Sequence, residues 1–596
     1  MEAKLKNIFK YVFASFFLLA IHYSTKNFGG YGLYLENNIF GWIIVSILIG
    51  LGFLHIYHTR NINYSLFQIY VFLGILFFIP PLFYHNNELA RYSIYRLTFI
   101  LGGWLFLSSL FQFNFTKIEK NDFLFIIVIS SLIQSIIGII QYYGIGPTDS
   151  FLFGKKQLPY GSFQQRNVMA SYLATNIGVS LFLMDQSNSV FLKKIKHIVL
   201  YTSTFLCSIL IIALQSTTGL VGLFLTSIFQ IHRVDMRKKV YRYFFASLII
   251  GLLVGIYSNR ILTDFDLKDK RTSDSRYWSG QIRLDLYDLT FDMWKENPIS
   301  GIGYSKFPQV FREFISEKTK KNEMPHPFLL YKYYDHPHNE ILYWLCEGGI
   351  SHIVGILIIL GCFIKVLLKM KWGNVFPLIG LILPIFIHTQ LEFPFKISLA
   401  HWIVFLFLIY FSCRKSMLAY KIKMRWPLLI LSSFIPIIFS SYMVTTIQKL
   451  KTLKSFELDG LKDFELLSTI KSPGPLFLKY ENYVLKTLYD IGTKTNDEKA
   501  LNLFLDKAFT FIKYSPNQHI YKNIFFTYLL LNEMDKAKSW IIKTSELFPY
   551  LSEELQWIYF GLKRFDEEEM AQKCLHLISI RDPELHQKLS NYVFEK

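Results

Sequence analysis

Apolar runs of membrane-crossing length, broken by short polar loops, fill the first three quarters of this chain. At 1.5 Å of rise per helical residue, about 20 apolar residues cover the roughly 30 Å hydrocarbon layer of a bilayer. Runs that approach or meet this length lie near 8–23, 39–57, 66–84, 94–113, 123–143, 168–184, 198–214, 216–231, 243–257, 339–367, 375–392, 399–412 and 427–446. The pattern predicts an all-α, polytopic membrane protein with about 13 transmembrane helices. Nothing resembling a small-residue cleavage site follows the first run, so it is expected to be a retained helix rather than a removed signal peptide. Two of the runs meet at "QSTTG" (215–219), which predicts a tight hairpin or a broken helix.

Two stretches depart from this rhythm. Residues 258–338 form one long polar loop. Within it, "SGQIRLDLYDLTFDMWKENPISGIG" (279–303) places Ile282, Leu286, Leu289 and Met293 at helical spacing, with Arg283, Tyr287, Thr290 and Trp294 on a second stripe. Pro298, Gly301 and Gly303 stop the pattern. The prediction is an amphipathic helix on the outer membrane surface that holds Arg283 near headgroup level. Beyond Thr446 the chain becomes charged, with apolar residues still at helical spacing in 498–514, 519–533, 535–549 and 552–566. These segments predict tetratricopeptide-type helical hairpins. The domain reading is therefore a transmembrane unit over 1–446 and a helical domain over 447–596.

Composition narrows the class. The 596 residues are 52% hydrophobic, 17% aromatic and 18% charged, more apolar surface than a soluble domain of this size can bury. The net charge of +19 does not indicate nucleic acid, because the cations cluster in short loops between apolar runs. Lys4, Lys6 and Lys10, then Arg60, Lys117 with Lys120, "KKIK" (193–196), "HRVDMRKKVYR" (232–242), "KMK" (369–371) and "CRKSMLAYKIKMR" (413–425) fall in alternate loops. By the positive-inside rule these are cytoplasmic, and an odd number of spans puts the tail outside. Among the intervening loops only 144–167, with Lys155, Lys156 and Arg166, is moderately basic. Cys207, Cys346, Cys362 and Cys413 lie in or beside apolar runs and Cys574 in the tail, so no disulfide framework follows.

This topology gathers the unusual polar segments on one face. "GSFQQRNVMAS" (161–171), "QSTTG", the loop 258–338, "HPHN" (336–339) and "HTQLEFP" (388–394) are all non-cytoplasmic. Polar and ionisable groups at span ends are costly unless they serve a cavity or a partner, so five such clusters predict a shared site. A transporter of lipid-linked glycan would instead place coupling carboxylates at mid-membrane in interrupted helices with repeat symmetry. Glu347 is the one such candidate, and no repeat is visible.

Taken in order, Gly-x-Phe-x-Gln-x-Asn (161–167), Ser-x-Thr-Gly (216–219), Arg283 with Trp294 and Asn-Pro-Ile-x-Gly-Ile-Gly (297–303), His-Pro-His-Asn with Glu-Gly-Gly behind it (336–349), and His-x-Gln-Leu-Glu-Phe-Pro (388–394) resemble the O-antigen ligase and polymerase superfamily. The last motif and the "FQQRN" element look most like bacterial protein O-oligosaccharyltransferases of the pilin-glycosylating type. The resemblance covers roughly residues 1–450, and the tail is similar to the extra C-terminal region of that branch. It implies a metal-independent, cofactor-free glycosyltransferase with a GT-C-like bundle in the bacterial inner membrane. The implied reaction moves a glycan from an undecaprenyl-diphosphate carrier to Ser or Thr hydroxyls of pilin or another periplasmic protein. The implied catalytic residues are His338 and His336. Those implied for diphosphate and glycan binding are Arg283, Arg166, Gln165, Asn167, Asn339, Glu392 and His388.

The chemistry of these side chains suits the reaction. Displacement at an anomeric carbon needs a base for the incoming hydroxyl and cations for the departing diphosphate. His338 can be the base, and the planar fork of Arg283 can meet a diphosphate bidentately. One departure stands out: many members of that family carry Ser-Arg-Thr-Gly where this chain has Ser216-Thr217-Thr218-Gly219. Arg166, where relatives often have proline, or Arg276 could supply the missing cation. Plainer roles exist for each residue. The histidines could shape a helix cap with Asn339, or bind metal with His326 or His388. Arg283 could snorkel, Gln165 and Asn167 could join spans, and Glu347 and Glu392 could partner nearby cations. A ligase or polymerase with a sugar acceptor shares the same donor site.

Overall fold

The computed structural model describes all residues except 28, 146–158, 187–189, 265–272, 322, 324–328, 330–332, 414–416, 549–551, 566, 569, 570, 573 and 576–596. Lys155, Lys156, His326 and the side chain of Arg276 therefore lie outside the described residues. The described residues are mostly helical. In the first half run α1 (Glu2–Leu18), α2 (Glu36–Thr59), α3 (Leu66–Leu76), α4 (Ile94–Gln112), α5 (Lys117–Tyr143), α6 (Arg166–Leu183), α7 (Val190–Ala213), α8 (Thr217–Gln230) and α9 (Lys239–Asp264). The long loop contributes α10 (Ser273–Glu296) and α11 (Phe307–Lys320). Then come α12 (Glu340–Leu368), α13 (Trp372–Thr389), the single turn α14 (Pro394–Ile397), α15 (Leu399–Cys413) and α16 (Trp426–Leu458).

All 13 apolar runs are helices, but among the described residues only 10 are both long and apolar enough to cross a bilayer. α8 and α15 have 14 and 15 residues, which at 1.5 Å each reach only about 21–23 Å. α6 has the length but carries Ser171, Thr175, Asn176 and Ser180, and every residue from Val168 to Leu183 is buried. Enclosed by other helices, it needs no lipid-facing apolar surface. Of the 13 expected spans, 10 are thus candidate crossing helices by length and composition, α6 is enclosed, and α8 and α15 are shorter, with Leu220, Phe224 and Ile228 of α8 still exposed.

The cation-rich loops assemble at one end. Residues Asn61–Ser65 pair antiparallel with Met417–Lys421, Lys10 bridges to Asp122 at 2.5 Å, and Lys238 to Asp185 at 3.2 Å. The polar clusters assemble at the other, where Ser162 Oγ donates to the Ile21 carbonyl at 2.5 Å, Asn38 to Ile397 at 2.8 Å and Asn87 to Tyr304 at 2.8 Å. If the first end is cytoplasmic, a reporter active only in the periplasm works when fused after Lys451 and stays silent when fused after Arg237. The reverse pattern in well-expressed fusions overturns the orientation.

The long loop folds into its own core rather than onto lipid. Leu286, Leu289 and Met293 of α10 are buried against Phe307, Phe311 and Ile315 of α11 and Tyr343 and Cys346 of α12. The expected membrane-facing stripe is therefore covered by protein, each such side chain contributing about 1.5–3 kcal/mol of burial. After α10, the segment 297–303 crosses α12 where that helix breaks. Gly349 has φ 58° and ψ −143°, and a Cβ there would stand 2.3 Å from the Ile299 carbonyl oxygen. Around the break, the Ile302 and Gly303 amides donate to Cys346 and Glu347 at 2.9 and 3.0 Å, and the Ile350 amide to Pro298 at 3.1 Å. The Asn-Pro-Ile-Ser-Gly-Ile-Gly and Glu-Gly-Gly motifs are thus two halves of one backbone junction.

α16 runs through Thr446 to Leu458, so the expected border at 446/447 falls inside a helix. α17 (Phe464–Ser468) follows, then α18 (Phe477–Thr495), α19 (Glu498–Ile512), α20 (Gln518–Leu530), α21 (Met534–Leu547) and α22 (Ser552–Arg564). Phe456, Leu467, Ile470 and Leu476 still belong to the core of the bundle, whereas a second core begins at Leu485 and includes Phe504, Ile524 and Ile541. Asp497 and Asn517 cap α19 and α20. The tail docks on the polar end of the bundle. Phe477 stacks on Tyr92 at 3.9 Å, Lys454 meets Glu36 at 2.5 Å, and Tyr333 donates to Ser515 at 3.1 Å.

Candidate active site

Three segments distant in sequence converge at the start of α12. Pro337 keeps the preceding residue extended, and Asn339 Oδ1 caps the helix by accepting from the Leu342 amide at 2.9 Å. Asn339 Nδ2 donates to the Gln390 carbonyl at 3.3 Å. The second stripe of α10 faces the same point: Tyr287 OH lies 2.7 Å from the Gln390 carbonyl and 3.2 Å from that of His338. His338 itself sits at φ 55°, in the left-handed region.

Glu392 ties the cluster together. One carboxylate oxygen meets Arg283 Nη2 at 3.2 Å and the other meets His338 Nδ1 at 3.0 Å. Burial alone would raise the Glu392 pKa. The hydrogen bond and charge of His338, with the charge of Arg283, outweigh burial and hold it down at about 2. An ionised carboxylate only accepts, so His338 Nδ1 carries a proton; whenever the ring is neutral, its lone pair is therefore on Nε2. This is a carboxylate–imidazole pair with a guanidinium at its side.

Beside it, Asp335 accepts from Tyr31 OH and lies 3.4 Å from His336 Nε2 and 3.7 Å from Lys396 Nζ. Burial opposes ionisation of Asp335, but His336 once protonated in acid, Lys396 and the Tyr31 hydrogen bond keep its carboxyl below the usual range.

The remaining sequence candidates fall in two further places. Arg166 opens α6, and the next residue, Asn167, accepts from Ser216 Oγ at 2.9 Å, so the "QQRN" element and the hairpin meet. Ser216 caps α8 through the Gly219 amide at 3.3 Å, and Thr217 is exposed. Gln165 precedes α6 with its side-chain oxygen buried. His388 turns inward: its Nδ1 is 2.7 Å from Ser171 Oγ, which is 3.1 Å from His401 Nε2. Its carbonyl accepts from the Glu392 amide at 2.9 Å, so His388 anchors the "HTQLEFP" turn to α6. Among the described residues, no group of three or more His, Cys, Asp or Glu side chains is arranged to hold a metal ion.

Glu347 pairs with Arg96 of α4 and accepts the Ser305 amide at 2.9 Å. The Arg96 guanidinium lies 4.0 Å over Trp344 and 4.7 Å over Tyr343. This fixes Glu347 as the partner of a cation. Arg96, Asp335, Tyr31 and Lys396 were not selected from sequence. Asp335 adjoins "HPHN" and carried a usable signal, whereas Arg96 and Tyr31 lie hundreds of residues from their partners.

A cavity of about 1010 Å³ runs from between the membrane-level helices to the base of the tail. Phe363, Leu383 and Phe439 line its membrane part, and Arg96, Asp335, Glu340, Gln390 and Lys396 its polar end. An apolar chamber that ends in charged groups suits an amphiphile.

The family described as "O-Antigen ligase" matches residues 202–360, which hold the hairpin, α10 and "HPHN". The family described as "Virulence factor membrane-bound polymerase, C-terminal" matches residues 377–557, which hold "HTQLEFP", α15, α16 and most of the tail. No curated protein matches the chain. Side by side, the two matches support the O-antigen ligase superfamily. They also support a multi-pass membrane protein that transfers glycosyl groups from lipid-linked donors.

Proposed function

We propose that this chain is a protein O-oligosaccharyltransferase of the bacterial inner membrane, with its site and tail facing the periplasm. The donor is an undecaprenyl-diphosphate-linked glycan, and the acceptor a Ser or Thr hydroxyl of pilin or another periplasmic protein. The observation that carries this reading is Glu392 held between His338 and Arg283. The acceptor oxygen bonds to the anomeric carbon as the bond from that carbon to the diphosphate breaks. The hydroxyl proton passes to His338 Nε2, and the lipid diphosphate leaves against Arg283, with Arg166 at the α6–hairpin contact as the proposed second cation on its path. The cavity, which adjoins the cluster through Asp335, Gln390 and Phe393 and is not lined by His338, Glu392 or Arg283 themselves, would take the lipid of the donor. Deleting the gene tests the acceptor: glycan disappears from pilin or periplasmic proteins while surface polysaccharide persists. The descriptions of the two matched families favour a second reading equally well, an O-antigen ligase or polymerase with a sugar acceptor. In that case the same deletion removes surface polysaccharide and spares protein glycans.

The cationic clamp has its own test. Arg283→Lys keeps the charge but loses the planar fork that engages Glu392 and a diphosphate together, so transfer falls well below wild type. Arg166→Ala is impaired as well, because Thr217 contributes no charge beside it. Wild-type transfer rates in both single variants and in the double variant reject the clamp.

A further inference from the structure

His336 shares its motif with His338 but sits differently. The amide of His338 donates to His336 Nδ1 at 3.1 Å. A backbone N–H can only donate, so Nδ1 must hold a lone pair and the ring proton sits on Nε2, facing Asp335 at 3.4 Å. Asp335 is in turn fixed by Tyr31 and Lys396. The His336 side chain is 12% exposed, with its ring packed 4.1 Å from Phe393 and 4.5 Å from the ring of His338. It has no room to swing toward a reacting atom. The contact from a side chain to the amide two residues on is the one an Asx turn makes, here formed by an imidazole across Pro337. The residue so braced holds a left-handed φ of 55°, a conformation that side chains other than glycine's seldom adopt unless their surroundings enforce it.

We propose that His336 is a positioning residue rather than a catalytic one: its neutral ring, oriented by Asp335, braces the His338 amide and so aims His338 Nε2 at the substrate. Burial, ahead of the opposing pull of Asp335, lowers the His336 pKa to about 4, which keeps the Nδ1 lone pair available at neutral pH. The inference rests on His338 being the base. It assigns His336 a role that asparagine, but not alanine or phenylalanine, can fill.

The test uses the full-length protein purified in detergent, lipid-linked glycan extracted from cells lacking it as donor, and periplasmic extract of those cells as acceptor. His336→Ala lowers kcat about 10²-fold, the cost of misplacing a reacting group by about 1 Å, with the KM for donor unchanged. His336→Asn, whose Oδ1 accepts the same amide, restores most of the lost kcat. His336→Phe keeps the packing against Phe393 and stays impaired. If Asn is no better than Ala or Phe, or if His336→Ala turns over like wild type, the brace is wrong. His338→Ala run alongside separates the failures: full activity there removes the base reading, whereas an inactive His338→Ala with no rescue by Asn removes the brace alone.

Discussion

Replacing His338 with alanine is expected to lower glycan transfer by about 10²–10⁴-fold, the usual contribution of a positioned general base. The variant should still insert and still bind the lipid-linked donor. His338 is 28% exposed and bonded through Nδ1 to Glu392, so little of the fold depends on it. On the proposed mechanism the chemistry does depend on it, because Nε2 is the atom that takes the hydroxyl proton as the new glycosidic bond forms. Glu392→Gln separates the two halves of the cluster. An amide can turn its oxygen to His338 Nδ1 and keep the ring oriented, but it cannot stabilise the imidazolium that proton transfer creates. A loss smaller than that of His338→Ala is expected. Single-turnover transfer by purified variants measures both, and wild-type turnover by His338→Ala would falsify the assignment of this residue as base.

The sequence made part of this site legible and hid the rest for definite reasons. "HPHN" could be placed at a helix start because proline and an N-cap asparagine act locally, and Asn339 does cap α12. The Arg283–Tyr287 stripe could be read from helical spacing, and it does face the cluster. Periodicity could not say what the opposite stripe covers, since lipid and a protein core reward the same apolar spacing. Leu286 and Met293 meet α11 and α12. Nor could it say which apolar runs cross the bilayer fully, because α6 is enclosed by other helices and needs no lipid-compatible face. Long-range pairs carry no local signal at all. The two strands near Asn61 and Lys421, the Tyr31–Asp335 bond and the Arg96–Glu347 pair each join residues that only the fold brings together.

That last pair gives the largest expected effect on stability. The Glu347 side chain is fully buried and Arg96 largely so, with the guanidinium packed among Tyr304, Tyr343 and Trp344. Removing one member of a buried ion pair leaves an uncompensated charge and costs about 3–5 kcal/mol. Glu347→Ala also strips the Ser305 amide of its acceptor, at the foot of the junction where 297–303 grips the break in α12. A lower unfolding temperature in detergent and reduced protein in the membrane are expected, with activity lost because the protein unfolds. Replacing both members, Arg96→Met with Glu347→Leu, removes the stranded charge along with the pair. The double variant should therefore be more stable than Glu347→Ala alone, a non-additivity that reports direct coupling. If Glu347→Ala unfolded at the wild-type temperature yet lost transfer, Glu347 would belong to the chemistry and not to the scaffold. The polar end of the cavity, where Arg96 sits, would then be part of the reacting site.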